Sequence, residues 1–118
     1  MSIIKKHSGG GSFMRRIDLG NKDWRVLVID KLTEQDVSLD DQPERMRAIL
    51  HWSPDEECAP LVMNVTNMEF LTGFLNMATD TDCDGKKVAV YFDPKVKYQN
   101  KVTGGLRLAD PDDEIPFG

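Results

Sequence analysis

A change of hydrophobic period inside residues 61–92 constrains this chain more than any other feature. Leu61-Val62-Met63 reads as a short apolar strand, and a helix start follows at once. Thr66 is placed to act as N-cap, and Glu69, three residues on, to reach back to its N–H as a capping box. Val65 and Phe70 have the spacing of a hydrophobic staple. Leu71, Phe74, Leu75 and Ala78 then recur at helical spacing as one apolar stripe. Gly73 interrupts the stripe at a cost of roughly 1 kcal/mol relative to Ala, too little to overturn stripe and cap together. After a turn over residues 80–85 the period drops from 3.6 to 2 in residues 86–92 (KKVAVYF). The stretch therefore reads strand, helix, strand.

The rest of the chain supplies more strands. Residues 1–12 form a basic Gly/Ser-rich leader without periodicity, read as a flexible arm, with a binding arm as the other reading. Phe13, Met14, Ile17 and Leu19 have a spacing suited to a turn or short helix against the first strand. Residues 23–30 (DWRVLVID) are rich in β-branched residues, and residues 31–37 continue the strand past a bend. Residues 38–43 are loop by composition. In residues 44–52 strict alternation puts Met46, Ala48, Leu50 and Trp52 on one face and Arg45, Arg47, Ile49 and His51 on the other, which predicts a strand. Residues 101–108 give a last strand in which Gly104-Gly105 marks a bulge or a close backbone approach. Residues 109–118, with two Pro and four acids, read as an unpacked acidic tail.

Five strands with a single helix between the third and fourth match the order of the OB-fold, a small barrel that binds oligonucleotides or oligosaccharides. The expected architecture is mainly β: a five-stranded OB-fold barrel over residues 13–108. An SH3-like or unrelated α+β roll is the alternative. At 118 residues the chain fits one domain with a modest core. No apolar run approaches the ~18 residues of a membrane span. Cys58 and Cys83 show no pairing pattern and read as reduced thiols, which points to the cytoplasm.

The net charge of −5 conceals strong segregation. Residues 1–31 sum to +4, residues 32–85 to −10, residues 86–108 to +5 and residues 109–118 to −4. Two basic blocks separated by an acidic one suit a polyanionic partner if the fold brings the basic blocks together. Catalytic signals are weak. Neither His7 nor His51 has a neighbouring nucleophile or metal-type partner, and no phosphate-binding glycine motif occurs. Asp80-x-Asp82-x-Asp84-Gly85 matches the first half of a calcium loop, but Tyr91 stands where the loop's last carboxylate belongs, so a polar turn is the better reading. The expectation is a binding protein without catalysis, cofactor or metal.

Cations and aromatic faces together are what single strands bind: phosphates follow the cations and bases stack on the rings. With Val88, Val90 and Phe92 inward, Lys87 and Tyr91 project outward, and Arg107 does so if Leu106 and Leu108 point in. The candidate nucleic-acid-binding set is Arg45, Arg47, Lys86, Lys87, Tyr91, Lys95, Lys97, Tyr98, Lys101 and Arg107. The alternative is an ordinary solvated strand face. Trp24 and Trp52 are expected in the core.

The ending Asp112-Asp113-Glu114-Ile115-Pro116-Phe117 closely resembles the acidic tip, Asp-Asp-Asp-Ile-Pro-Phe, of bacterial single-stranded-DNA-binding proteins. It differs by one Asp/Glu exchange and a following Gly118. The resemblance implies that these six residues bind a replication or repair protein and compete with DNA for the basic groove. Leu61-x-Met63-Asn64-x-Thr66-Asn67-Met68 and Gly85-Lys86-x-Val88-x-Val90-Tyr91 look like segments of small phage-encoded OB proteins of replication modules. Together the resemblances imply single-stranded DNA binding in phage or prophage replication or recombination, in a host cytoplasm, with RNA also open. A protein-interaction module whose basic strands hold an acidic partner is the other reading.

Overall fold

A computed structural model describes residues 13–36, 38, 43, 46–98 and 100–113 of the chain. Its organising element is β1 (Trp24–Asp36), a strand long enough to serve two halves of one sheet. Its N-terminal half, Trp24 to Val28, pairs antiparallel with β4 (Lys87–Asp93). Its C-terminal half pairs antiparallel with β2 (Met46–Trp52). The register slips between Ile29 and Lys31, leaving Asp30 as an extra residue. Such a bulge bends a strand and resets which parity faces inward. Leu27 and Ile29 are buried before it and Leu32 packs on the core after it, an odd step in place of an even one.

The sheet is completed by β3 (Leu61–Val62), paired with Ile49 and Leu50, and by β7 (Gly105–Ala109), paired with β4. The order is β3–β2–β1–β4–β7, all antiparallel. α1 (Val65–Phe74) lies between β3 and β4 in sequence, as the periodicity predicts. The expected mainly β architecture, with a five-stranded sheet and one helix after its third strand, is therefore observed. Closure into a barrel is not: β3 and β7 end the sheet without pairing to each other. Between them stands α1, whose Asn67 side-chain amide donates to the Leu106 carbonyl at 3.0 Å.

The helix is capped two residues before the predicted position. Asn64 is the N-cap, and its Oδ1 accepts from the Asn67 N–H at 2.8 Å. Thr66 thus lies inside the first turn, and Val65 is 73% exposed, so neither predicted box nor predicted staple forms. The stripe survives in part: Asn67 and Leu71 are buried, Met68, Phe70, Phe74 and Leu75 pack against the core, and Ala78 lies beyond the helix and exposed.

Beyond β4 the predicted single strand over residues 101–108 is split. β5 (Lys97–Tyr98) and β6 (Lys101–Val102) form a separate two-stranded ribbon. The chain then turns at Gly104 to enter β7. Gly104 has φ +74°, and a Cβ there would lie 2.8 Å from Cε1 of Phe92. This is the close approach anticipated from the Gly pair: the backbone lies on the Phe92 ring, where only a glycine fits. Ala109 belongs to β7, so the tail begins one residue later than expected.

At the other end, Arg16–Leu19 form a 3₁₀ turn that buries Leu19, while Met14 is tied to Pro60 by an N–H···O bond of 2.7 Å and Ile17 stays 76% exposed. The core joins Met14 and Leu19 to Leu27, Ile29, Leu50, Trp52, Met63, Leu71, Val88, Val90 and Leu108. No described helix is long and apolar enough to cross a membrane.

Candidate nucleic-acid interface

The side of the β1–β4–β7 half turned away from the core carries the groups of interest. On β4, Val88, Val90 and Phe92 join the core, which leaves Lys87, Ala89, Tyr91 and Asp93 on the opposite face. Residues in register share a face. Tyr91 therefore has Trp24 on one side, from β1, and Arg107 on the other, from β7. The hydrogen-bond pattern refines this. The Phe92 N–H donates to Asp23 at 3.0 Å, so Phe92 turns its backbone groups toward β1 and Tyr91 turns its own toward β7. Trp24 and Tyr91 thus form a non-hydrogen-bonded pair, the antiparallel arrangement that brings side chains closest.

All three side chains are half-buried. Burial pushes the Tyr91 hydroxyl pKa up; the nearby Asp93 carboxylate adds to this and the Arg107 guanidinium opposes it. The Lys22 ammonium stands over the Trp24 ring, 5.4 Å from its centroid, a cation–π contact at an exposed edge. Ala89 sits between Val26 and Ala109 in the next row of the same face and is fully covered.

Trp24 corrects the sequence reading, which expected it in the core with Trp52. Trp52 is in the core; Trp24 is not. The misreading has a physical source. Trp24, Val26 and Val28 make one parity of β1 wholly apolar, whereas the other contains Arg25. The buried parity is nonetheless that of Arg25, Leu27 and Ile29, because the Arg25 guanidinium is satisfied by the backbone carbonyls of Asp18, at 3.0 Å, and Glu56. The register Trp24↔Tyr91 was the signal needed, and no local pattern contains it.

The remaining candidate residues divide into groups. Lys87 opens β4 and is exposed, with Lys86 exposed just before it. Lys95, Lys97 and Lys101 are exposed on the turn and ribbon after β4. Tyr98 is opposite Lys101 in the ribbon; it is described through its backbone alone. Among the described residues none of these cations, nor Arg107, forms an ion pair; the pair present joins Arg16 and Asp23 at 2.7 Å. Arg47 is exposed on β2, on the far side of the Asp30 bulge, with its guanidinium on the Met46 carbonyl. It does not join the Tyr91 face. Arg45 lies outside the described residues, as do Glu114, Ile115, Pro116 and Phe117; Asp112 and Asp113 are described and exposed.

Other chemistry finds little support in the geometry. The Asp-x-Asp-x-Asp segment is a capped 3₁₀ turn, with the Asp82 carboxylate accepting from the N–H groups of Ala78 at 2.6 Å and Thr79 at 2.9 Å. Those bonds hold the Asp82 pKa below the usual carboxylate range. No cluster among the described residues suits a metal ion. His51 bonds the Thr33 hydroxyl at 2.8 Å. Burial pushes the thiol pKa values of Cys58 and Cys83 up, away from the reactive thiolate. A groove of about 540 Å³ lies elsewhere, between the β1–β2 end and the first turns of α1, lined by Met46, Met63, Val65 and Met68 with Arg47 and Glu69 beside them.

Comparison with protein-family models, with curated proteins and with solved structures finds no match.

Proposed function

We propose that this protein binds single-stranded nucleic acid, DNA in the first instance, through the outer face of β1–β4–β7 and the adjoining β5–β6 ribbon. One observation carries the reading: Tyr91 and Arg107 are opposed in register on the same outer face, with Lys87 on that face and Lys95, Lys97 and Lys101 on the segment that follows. Cations that form no ion pair among the described residues, set beside a half-buried ring, suit a flexible polyanion with exposed bases. The strand order supports an OB-type barrel as the frame, since pairing β3 with β7 is the one step that would close it. No catalytic step belongs to this reading, nor a cofactor. The acidic end, from Asp112 through Phe117, would recruit a replication or repair protein, as its resemblance to the bacterial tip implies. A phage or prophage replication or recombination setting follows from the same resemblances.

The test is a titration of single-stranded and duplex oligonucleotides of one sequence over a salt series. Single strands bind more tightly, and affinity falls linearly in log–log form as salt rises. Lys87→Glu and Arg107→Glu weaken binding and flatten that slope without unfolding the protein. Equal affinity for both forms, or none at low salt, refutes the proposal. The methionine-lined groove favours a second reading, a protein-interaction module, because Met-rich surfaces adapt to apolar partners. Loss of nucleic-acid binding in all arms would leave that reading standing.

A further inference from the structure

We infer that Trp24 and Tyr91 form a two-ring platform on which neighbouring bases of a single strand stack, with Lys22 and Arg107 holding phosphates at its two ends. This deepens the proposed function and rests on it. The inference starts from the odd position of Trp24. A tryptophan is the largest apolar side chain the chain has, and this one is placed on the outer face of the sheet rather than in the core. Its direct neighbour across the non-hydrogen-bonded register is the other large ring of that face, Tyr91. Side-chain origins in such a pair lie about 4.5–5.5 Å apart. The ring of Trp24 is reachable from outside, because the Lys22 ammonium already stands over it at 5.4 Å.

The row from Trp24 through Tyr91 to Arg107 crosses three adjacent strands. At the usual strand spacing that is roughly 10 Å, enough for two to three bases stacked at about 3.4 Å. A base arriving on Trp24 takes the place of the Lys22 ammonium, which is then free to meet the phosphate beside it. At the other end the fork of the Arg107 guanidinium suits phosphate oxygens. In the next row of that face the small Ala89 lies between Val26 and Ala109 and is itself fully covered. Stacking of this kind accepts any base, so the platform fits binding without sequence preference.

The experiment titrates the full chain with a thymidine oligonucleotide and a uridine oligonucleotide while reading tryptophan emission. Trp52, 5% exposed in the core, is a reporter that a ligand does not touch, so quenching reports Trp24. The expected result is quenching by both oligonucleotides. Trp24→Phe loses the quench and part of the affinity, and Trp24→Ala loses about 5–150-fold in affinity, the usual worth of one stacked base. The salt slope of Trp24→Ala stays that of the wild type, since no phosphate contact is removed. Should Trp24→Ala fail to fold by circular dichroism, the quench and its loss in Trp24→Phe decide the matter. Wild-type affinity in Trp24→Ala, or a full quench in Trp24→Phe, overturns the platform. If Lys87→Glu and Arg107→Glu still weaken binding in that case, the proposed function survives without it. Absence of binding by the wild type overturns both.

Discussion

Asn67→Ala is the substitution that best tests how the open sheet is held. Asn67 is 2% exposed and its amide donates to the Leu106 carbonyl at 3.0 Å. Leu106 stands opposite Phe92, whose N–H turns to Asp23, so their pair is non-hydrogen-bonded and the Leu106 carbonyl points off the free edge of β7. In a closed barrel that edge would meet another strand; here one helix side chain satisfies it. Removing the amide forfeits a hydrogen bond of about 1 kcal/mol net and leaves a half-buried carbonyl unpaired, at about 1–3 kcal/mol. Alanine returns up to about 0.7 kcal/mol through its helix propensity. The expected loss is about 1–3 kcal/mol, or roughly 4–12 °C in Tm for a domain of this size. Urea unfolding followed by circular dichroism checks it, with a lower midpoint and an unchanged slope. Asn67→Asp, which sets a carboxylate against the carbonyl oxygen, does at least as much damage. A midpoint indistinguishable from wild type in either variant refutes the idea that this contact joins α1 to β7.

Three other outcomes follow from the same geometry. Gly104→Ala puts a Cβ into the Phe92 ring at a residue with φ +74°, and lowers stability by about 1–3 kcal/mol in a denaturant titration; adding Phe92→Leu relieves part of the loss, and strict additivity would contradict the contact. Asn64→Ala costs about 1 kcal/mol as a lost cap whereas exposed Thr66→Ala costs close to nothing, and the reverse order would place the helix start where the sequence first suggests it. Burial, aided by the Lys31 charge, holds the His51 pKa below its ordinary 6.5, so the neutral ring is favoured on folding. Its contribution is complete above 6.5 and is lost as pH falls through the lowered value; unfolding midpoints at pH 8 and pH 5 differ less in His51→Gln than in wild type.

How much of the fold was legible depends on where the deciding contacts lie. Residues 46–52 were readable as a strand because Met46, Ala48, Leu50 and Trp52 alternate with Arg47, Ile49 and His51; the core takes Ala48, Leu50 and Trp52, whereas Met46 is exposed and Ile49 is buried outside the main cluster. The position of α1 was readable from its stripe, but its start was not. Asn64 and Thr66 are both good caps two residues apart, and Glu69 favours Thr66 on local grounds. What decides is Met63, 2% exposed, which the sheet anchors through an N–H bond to Ala48 and which leaves Asn64 at the first helical turn. The split of the last strand is likewise nonlocal. Nothing within residues 101–108 says that Gly104 rests on Phe92, twelve residues earlier in the chain. Barrel closure is invisible to periodicity for the same reason, since alternation fixes faces and not partners.

The site was legible where one residue type dominates a segment and opaque where the face is assembled from three strands. Lys86 to Lys101 stand out by charge alone, and Tyr91 by its parity with Lys87. Trp24 could not be placed without β1's partner, because both parities of that strand are largely apolar and the charged one is the one buried. The half-buried Arg25 guanidinium is held by carbonyls contributed by two turns, at Asp18 and at Glu56, so Arg25 shares the inner parity with Leu27 and Ile29 while Trp24 lies on the outer one. Arg25→Leu would remove those two bonds without touching the proposed surface. The Trp24–Tyr91 register would be kept, because the backbone ladder pairs β1 with β4 from Trp24–Tyr91 through Val28–Lys87. The geometry of the proposed face thus depends on strand pairing in the layer beneath it, which residue-by-residue inspection of the surface does not reveal.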